Sequence, residues 1–381
     1  MIASRAMMRS AISGLLACGM AAAQTFVVDV GGGAGASFTD LPTAIAAVPD
    51  GSLLLVRPGA YANFTIVDKT LTIVADPGVT VGGIVTAVAV RNLQSFRTVR
   101  LAGFACISAL GPGELRLEND VGQVVLDRVT GAGLSGAGVG LRITSCADVR
   151  VAHSTFGPLG APALTADTSR VTIADTLFTA APGYPALLVN GGNVELAGVR
   201  AFGGGWFPAG SALVTSAADL RVLGNSTLST AWAGAIAGGH AILGVGGTAR
   251  LDPAVVLAAN GVPTIGGSTV VVVTAMPAVL AATAGIGGAA TGSLRGPTGA
   301  IGVLFAGFVG KLHQVPPFVE PIGIDLATAV PMAAGPLSPP IAGSYQVPAS
   351  PAVIGLAVAW QGASFATNGV ELSNAATYVH W

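Results

Sequence analysis

Charged side chains are scarce in this chain: 17 Lys and Arg and 18 Asp and Glu make up 9% of 381 residues and leave a formal net charge of −1. So few charges cannot coat amphipathic helices. With an isoelectric point near 6.4, the chain also has no basic footprint for nucleic acid or an anionic membrane surface. Disorder is excluded from the other side, because 52% of the residues are apolar and disordered segments need low hydrophobicity. What abounds is glycine, 55 residues. Glycine with an apolar excess favours a turn-rich all-β protein.

Long apolar runs are missing as well, although mean hydropathy is +0.72. No charge lies between Asp252 and Arg295, but Gly, Pro, Thr and Asn interrupt that stretch and Pro277 splits its most apolar part. No run of ~20 residues survives to cross a membrane as a helix. A terminal aromatic, Trp381, suits an outer-membrane barrel, yet the regular lipid-facing alternation of one is absent from the middle of the chain. Residues 1–23 form the exception. Arg5 and Arg9, the apolar stretch Ala11 to Met20, and Ala21-Ala22-Ala23 before Gln24 read as an export signal, so a secreted or cell-surface location is expected. Leu15-Leu16-Ala17-Cys18 also fits a lipoprotein box, which leaves acylation of Cys18 open. Without the signal, two of three cysteines remain, Cys106 and Cys146, and their spacing neither demands nor forbids a disulfide.

The rest of the chain repeats itself. TLTIVAD, TVRLAGF, QVVLDRV, DVRVAHS, RVTIADT, NVELAGV, DLRVLGN and TARLDPA share a polar, apolar, variable, apolar pattern. Their first apolar positions form one register, Leu71, Val99, Val124, Val149, Val171, Val194, Leu220 and Ala249, 22 to 29 residues apart. A second register, Leu141, Leu164, Leu187, Leu213 and Ile242, precedes five of these by 7 or 8 residues. A third, Cys106, Phe156, Phe178, Phe202, Leu228 and Val256, follows by 7 or 8. Three short strands per repeat predict the rung of a parallel β-helix, whose inward side chains stack in columns. The three Phe of the third register are then expected to form a buried ladder. Helical spacing through Leu41, Ile45 and Val48 predicts a cap over the first rung.

The phrase SFTDLPTAIAAVPDGSLLLVRPGAYANFTIVDKTLTIVAD resembles the N-terminal segment of the pectin lyase-like right-handed β-helix superfamily: a helix, PDG, an apolar strand, RPGxY and Lys-x-Leu-x-Ile. The resemblance is close over about 40 residues and continues to about residue 274 through periodicity alone. It implies the fold and leaves activity open, because one fold carries many functions. After Thr274 the repeat gives way to Pro-rich links and strands. The closing phrase from Gln346 is similar to a C-terminal β-sandwich module that follows such solenoids. The expected organisation is signal 1–23, β-helix 24–274 and sandwich 275–381, the sandwich being a candidate cover for the solenoid's far end.

The resemblance implies that polysaccharide-active enzymes on this fold need carboxylates grouped on neighbouring rungs, as an acid/base pair or as a calcium cage with a basic residue for proton abstraction. The polar column one residue before the first register reads Thr98, Gln123, Asp148, Arg170, Asn193 and Asp219; it never offers two consecutive acids and predicts one Asp148–Arg170 contact. No metal or cofactor is expected. Four residues after the first register, Arg128, His153 and Asp175 fall on adjacent rungs with Asp127 beside them, the one catalytic-looking constellation in the chain. No nucleophile or oxyanion donor accompanies it. The paired-Asp hydrolase motif and the Gln-Asp-x-Leu esterase phrase of the resembled superfamily are absent. Tyr184, Trp206 and Trp232 lie 12 or 13 residues past Val171, Val194 and Leu220, in the long corner of successive rungs, where they form either a sugar-stacking platform or a packed lid. The expectation is an exported, non-catalytic β-helix protein that presents loops to a polysaccharide or cell-envelope glycan. A divergent polysaccharide lyase or hydrolase and a structural or adhesive surface element are the alternatives.

Overall fold

The computed structural model describes residues 24–381 apart from 84–87, 109–113, 134–138, 158–159, 206–209, 231–238, 260, 283–284, 317 and 368. The signal segment, Cys18, Trp206 and Trp232 therefore lie outside the described residues. Each piece of the opening phrase has a visible task. The side chain of Asp40 accepts from the Thr43 backbone N–H at 3.1 Å and starts the helix Leu41–Ala47, with Pro42 in its first turn. Leu41, Ala44, Ile45 and Val48 close the core at the first rung, as expected. Lys69 Nζ donates to the carbonyls of Ile45 and Val48, both at 2.5 Å, where a helix end leaves acceptors without partners. In RPGAY, Gly59 takes a φ of 155°. Tyr61 Oη donates to Arg57 O at 2.8 Å and accepts from Val30 N at 3.2 Å, clamping the corner to the preceding turn.

About nine turns follow, with 18 strands in one sheet and nine in the other, all paired in parallel; Leu164–Ala174 and Leu187–Ala197 each run unbroken through both positions of the larger sheet. The first register is paired from Leu71 through Val99, Val124, Val149, Val171, Val194 and Leu220 to Ala249. The second runs from Leu141 through Leu164, Leu187 and Leu213 to Ile242. Both columns are buried in a single core. Each strand lies about 4.8 Å from its neighbours above and below, so backbone N–H and C=O groups are satisfied by adjacent turns and the side chains fill the interior.

Two corners of the coil are left-handed in consecutive turns. Asn92, Asn119, Ser145, Thr168, Gly191 and Ala217 form one such column, and Gly103, Arg128, His153, Asp175 and Gly198 another. Left-handed backbone is uncommon for residues other than Gly, Asn, Asp and His, so Arg128 is held there by its surroundings. Hydroxyls line the inside of the second corner. Ser154 Oγ donates to Ala152 O at 2.7 Å and accepts from Val129 N at 3.1 Å, and Thr176 Oγ1 donates to Ala174 O at 2.7 Å.

The third register departs from expectation. Phe156 and Phe178 are paired and stacked, with ring centroids 5.6 Å apart and planes 16° apart. The column continues through Ala201, not Phe202, which pairs with Thr179 and Ser229 and is half-buried. Ala201 keeps the seven-residue spacing that Phe156 and Phe178 have from the first register, and Phe202 exceeds it by one. From Leu228 onward the corner is one residue longer, so Leu257 takes the place expected of the exposed Val256. A one-residue slip in a strand turns every side chain to the opposite face. Below Phe156 the column holds Gly131, where a Cβ would come within 2.7 Å of the Phe156 ring.

From Ala278 the pairing is antiparallel. Ala278–Ala282, Ala289–Arg295 and Ile341–Gln346 form one sheet; Ile301–His313, Ile322–Ile324, Val330–Pro336, Ala357–Ala366, Gly369–Leu372 and Ala376–Val379 form the other. They share a second core around Val279, Leu294, Leu304, Trp360 and Tyr378. This module does not cover the far end of the solenoid. It lies along the flank of the 18-stranded sheet, where Leu53, Val74, Ala102 and Val125 pack with Ala357 and Val379, and Ala197 and Leu223 with Met276 and Ala278. Val270, Val272 and Val273 on the last turn stay exposed. Cys106 and Cys146 are free, buried thiols whose burial raises both pKa values to about 12.

Replacing Phe156 with Ala removes a fully buried ring and is expected to cost ~3–5 kcal/mol. Phe202→Ala, on the outward face, costs less than about 1 kcal/mol. Urea denaturation of the two variants checks the register; equal losses would restore the three-Phe ladder.

Candidate functional site

The constellation of Arg128, His153 and Asp175 does assemble, on the flank where the C-terminal module docks, but its hub is Asp127. This carboxylate is fully buried. Its Oδ1 meets His153 Nδ1 at 2.8 Å; its Oδ2 accepts from Arg128 Nε at 3.0 Å and from the Val379 backbone N–H at 3.1 Å. Arg128 Nη2 donates to Val379 O at 3.2 Å, and the guanidinium lies 4.5 Å from the Trp381 ring centroid. His153 Nε2 meets Ala281 O at 3.2 Å. Asp175 stands beside Gly198, where a Cβ would approach its Oδ1 to 2.5 Å. Arg128, His153 and Asp175 form one wall of a crevice of about 620 Å³ whose other wall includes Leu280, Thr291 and Trp381.

The chemistry of His153 follows from its partners. Both ring nitrogens face acceptors, a carboxylate and a carbonyl, and both are satisfied only when both carry protons. Burial pushes its pKa down, but the hydrogen bond and charge of Asp127, the Ala281 carbonyl and the charge of Asp175 outweigh burial, and the net shift is upward. Burial raises Asp175, against the pull of His153. A histidine held in this way ties two parts of the chain together, one ring nitrogen on the solenoid's Asp127 and the other on Ala281 of the module. Among the described residues no group of three or more His, Cys, Asp or Glu is placed to hold a metal ion.

The variable position of the repeat pattern, which sequence alone leaves without a role, faces the docked module. Successive turns place Arg100, Val125, Arg150, Thr172, Glu195, Arg221 and Arg250 in it. Arg150 is 1% exposed; it grips Asp148 at 3.0 and 3.2 Å and donates to Gly323 O at 2.8 Å and Gly310 O at 2.5 Å. Arg221 donates to Glu195 at 2.7 Å and to Leu372 O at 2.6 Å, while Arg250 reaches Glu320 and Glu371. The expected Asp148–Arg170 contact is therefore replaced. Asp148 is claimed by Arg150 on its own strand and by Gln123 at 2.8 Å, because the module's carbonyls draw Arg150 into the same buried layer.

Tyr184 lies on a different edge, exposed at 42%. The corners of successive turns stack there. Gly204 N donates to Tyr184 O at 3.0 Å, Gly210 N to Gly204 O at 2.8 Å, and a Cβ on Gly239 would sit 2.6 Å from Gly210 O. These glycines flank the segments that hold Trp206 and Trp232, so the chain near all three aromatics shares one edge.

A scan against protein-family models finds no match, and a search of curated proteins finds none. Among solved structures, a pectin methylesterase, PemA from Erwinia chrysanthemi, is similar at 13% identity over 60% of this chain and 79% of that one, with a TM-score of 0.26. So distant a likeness carries no argument about chemistry. The parallel sheets themselves form the β-solenoid that the repeat leads one to expect.

Arg150→Ala leaves the Asp148 carboxylate buried without its cation and is expected to cost ~3–5 kcal/mol, read as lost protection of the module's amides in hydrogen exchange. For His153 the folded pKa lies above the unfolded value of 6.5. Its contribution is complete below pH 6.5 and is lost as pH rises through the raised value. Protection of the Val379 amide, taken relative to its intrinsic exchange rate at each pH, should therefore fall over that interval in the native chain and stay flat in His153→Gln. A pH dependence that survives this substitution would assign the latch to another group.

Proposed function

We propose that the protein is an exported, non-catalytic β-solenoid that binds a polysaccharide or cell-envelope glycan along its long-corner edge through Tyr184, Trp206 and Trp232. The observation that carries this reading is the exposure of the Tyr184 ring on an edge where the corners of the next two turns stack backbone to backbone. An aromatic ring that meets solvent beside glycine-lined corners offers a flat apolar face on which the apolar face of a sugar ring can rest. The His153 cluster supports the non-catalytic part, since its polar atoms are engaged in holding the C-terminal module. Among the described residues no helix is long and apolar enough to cross a membrane.

Affinity electrophoresis of the mature chain through gels containing neutral and uronate-bearing polysaccharides tests the reading. Retardation by at least one polymer is expected, with Tyr184→Ala, Trp206→Ala and Trp232→Ala each weakening it by about 3- to 10-fold. Unretarded migration in every polymer, or retardation indifferent to all three substitutions, rules it out.

A further inference from the structure

The polar column of the solenoid has two fates. Of its members, Gln123 and Asp148 are buried beneath the C-terminal module. Its later members, Arg170, Asn193, Asp219 and Thr248, are paired in register on consecutive turns and form the floor of a second crevice, of about 310 Å³, between the 18-stranded sheet and the module. Leu312, Val319, Pro321 and Ala375 supply an apolar wall opposite. Deeper charges in the crevice are already paired: Arg221 with Glu195, and Arg250 with Glu320. Among the described residues the side chains of Arg170 and Asp219 take part in no hydrogen bond or ion pair. In a chain so poor in charge, one unpaired cation and one unpaired anion thus stand two turns apart on one floor, with the Asn193 amide between them.

We propose that this crevice binds a short zwitterionic peptide of about three residues, its carboxylate on Arg170 and its ammonium on Asp219. Two strand spacings separate the anchors by about 9–10 Å, and three extended residues span about 10 Å. The planar fork of Arg170 suits a carboxylate. The carboxylate of Asp219 accepts from an ammonium. Asn193 offers both a donor and an acceptor to the peptide group between them, and the apolar wall takes the ligand's other face. This site is on a different surface from Tyr184 and does not depend on the glycan reading.

Titration calorimetry with triglycine, its N-acetyl form and its C-terminal amide decides the matter. Triglycine is expected to bind, and either cap, which imitates the single charged end of a protein chain, weakens binding by about tenfold or more. Arg170→Gln binds triglycine and its amide alike, and Asp219→Asn binds triglycine and its acetyl form alike, with the melting curve of each unliganded variant showing that it is folded. Tyr184→Ala leaves triglycine binding unchanged. No heat from triglycine at millimolar concentration, or equal binding of the capped and free peptides by the native chain, overturns the proposal.

Discussion

The register between successive turns is the constraint on which everything else rests. A parallel coil satisfies its backbone only through the turns above and below, so each strand must align with its neighbours residue for residue. Once Leu71, Val99, Val124 and their successors are aligned, every other position is fixed as inward, outward or corner. The left-handed corners, the hydroxyl ladder behind them and the Phe156–Phe178 stack are consequences of that alignment.

The outward face shows how a charge-poor chain uses the charges it has. Arg150, Arg221 and Arg250 share one vertical column and reach across to carbonyls and carboxylates of the C-terminal module. A guanidinium donates in several directions at once, so one residue pairs a carboxylate on its own sheet and a carbonyl on the other. Hydrophobic contacts flank this polar seam at both ends. The result joins solenoid and module over most of the coil's length and leaves the last turn open. The Asp127–His153–Arg128 cluster belongs to the same seam, and its catalytic look in the sequence comes from the chemistry of docking: a buried carboxylate needs cations and donors wherever it is.

Two surfaces escape the seam. One is the edge with Tyr184, where glycine corners let backbones stack closely. The other is the stretch of the polar column beyond Asp148, where the module lifts away and Arg170, Asn193 and Asp219 face a crevice. Their difference from Gln123 and Asp148 has nothing to do with residue type; it depends on how closely the module lies over this part of each turn, since Arg221 and Arg250 two residues farther along still reach it.

How much the sequence revealed follows from these distinctions. Periodicity of apolar residues determined the coil, two of its three registers and the capping helix, because each is a local pattern that repeats and whose errors would bury polar groups. The third register fails at Phe202 and Val256, since a one-residue difference at a corner inverts a strand and apolar spacing alone does not count corner residues. Adjacency of Arg128, His153 and Asp175 was legible from spacing, but their work was not, because Ala281, Val379 and Trp381 come from more than a hundred residues away. The variable position of the repeat meant nothing until the module was seen to lie on it. Sequence determined what stacks upon what along the coil; only tertiary structure decided which flank the second unit covers, since docking depends on distant surfaces fitting together and leaves no periodic trace.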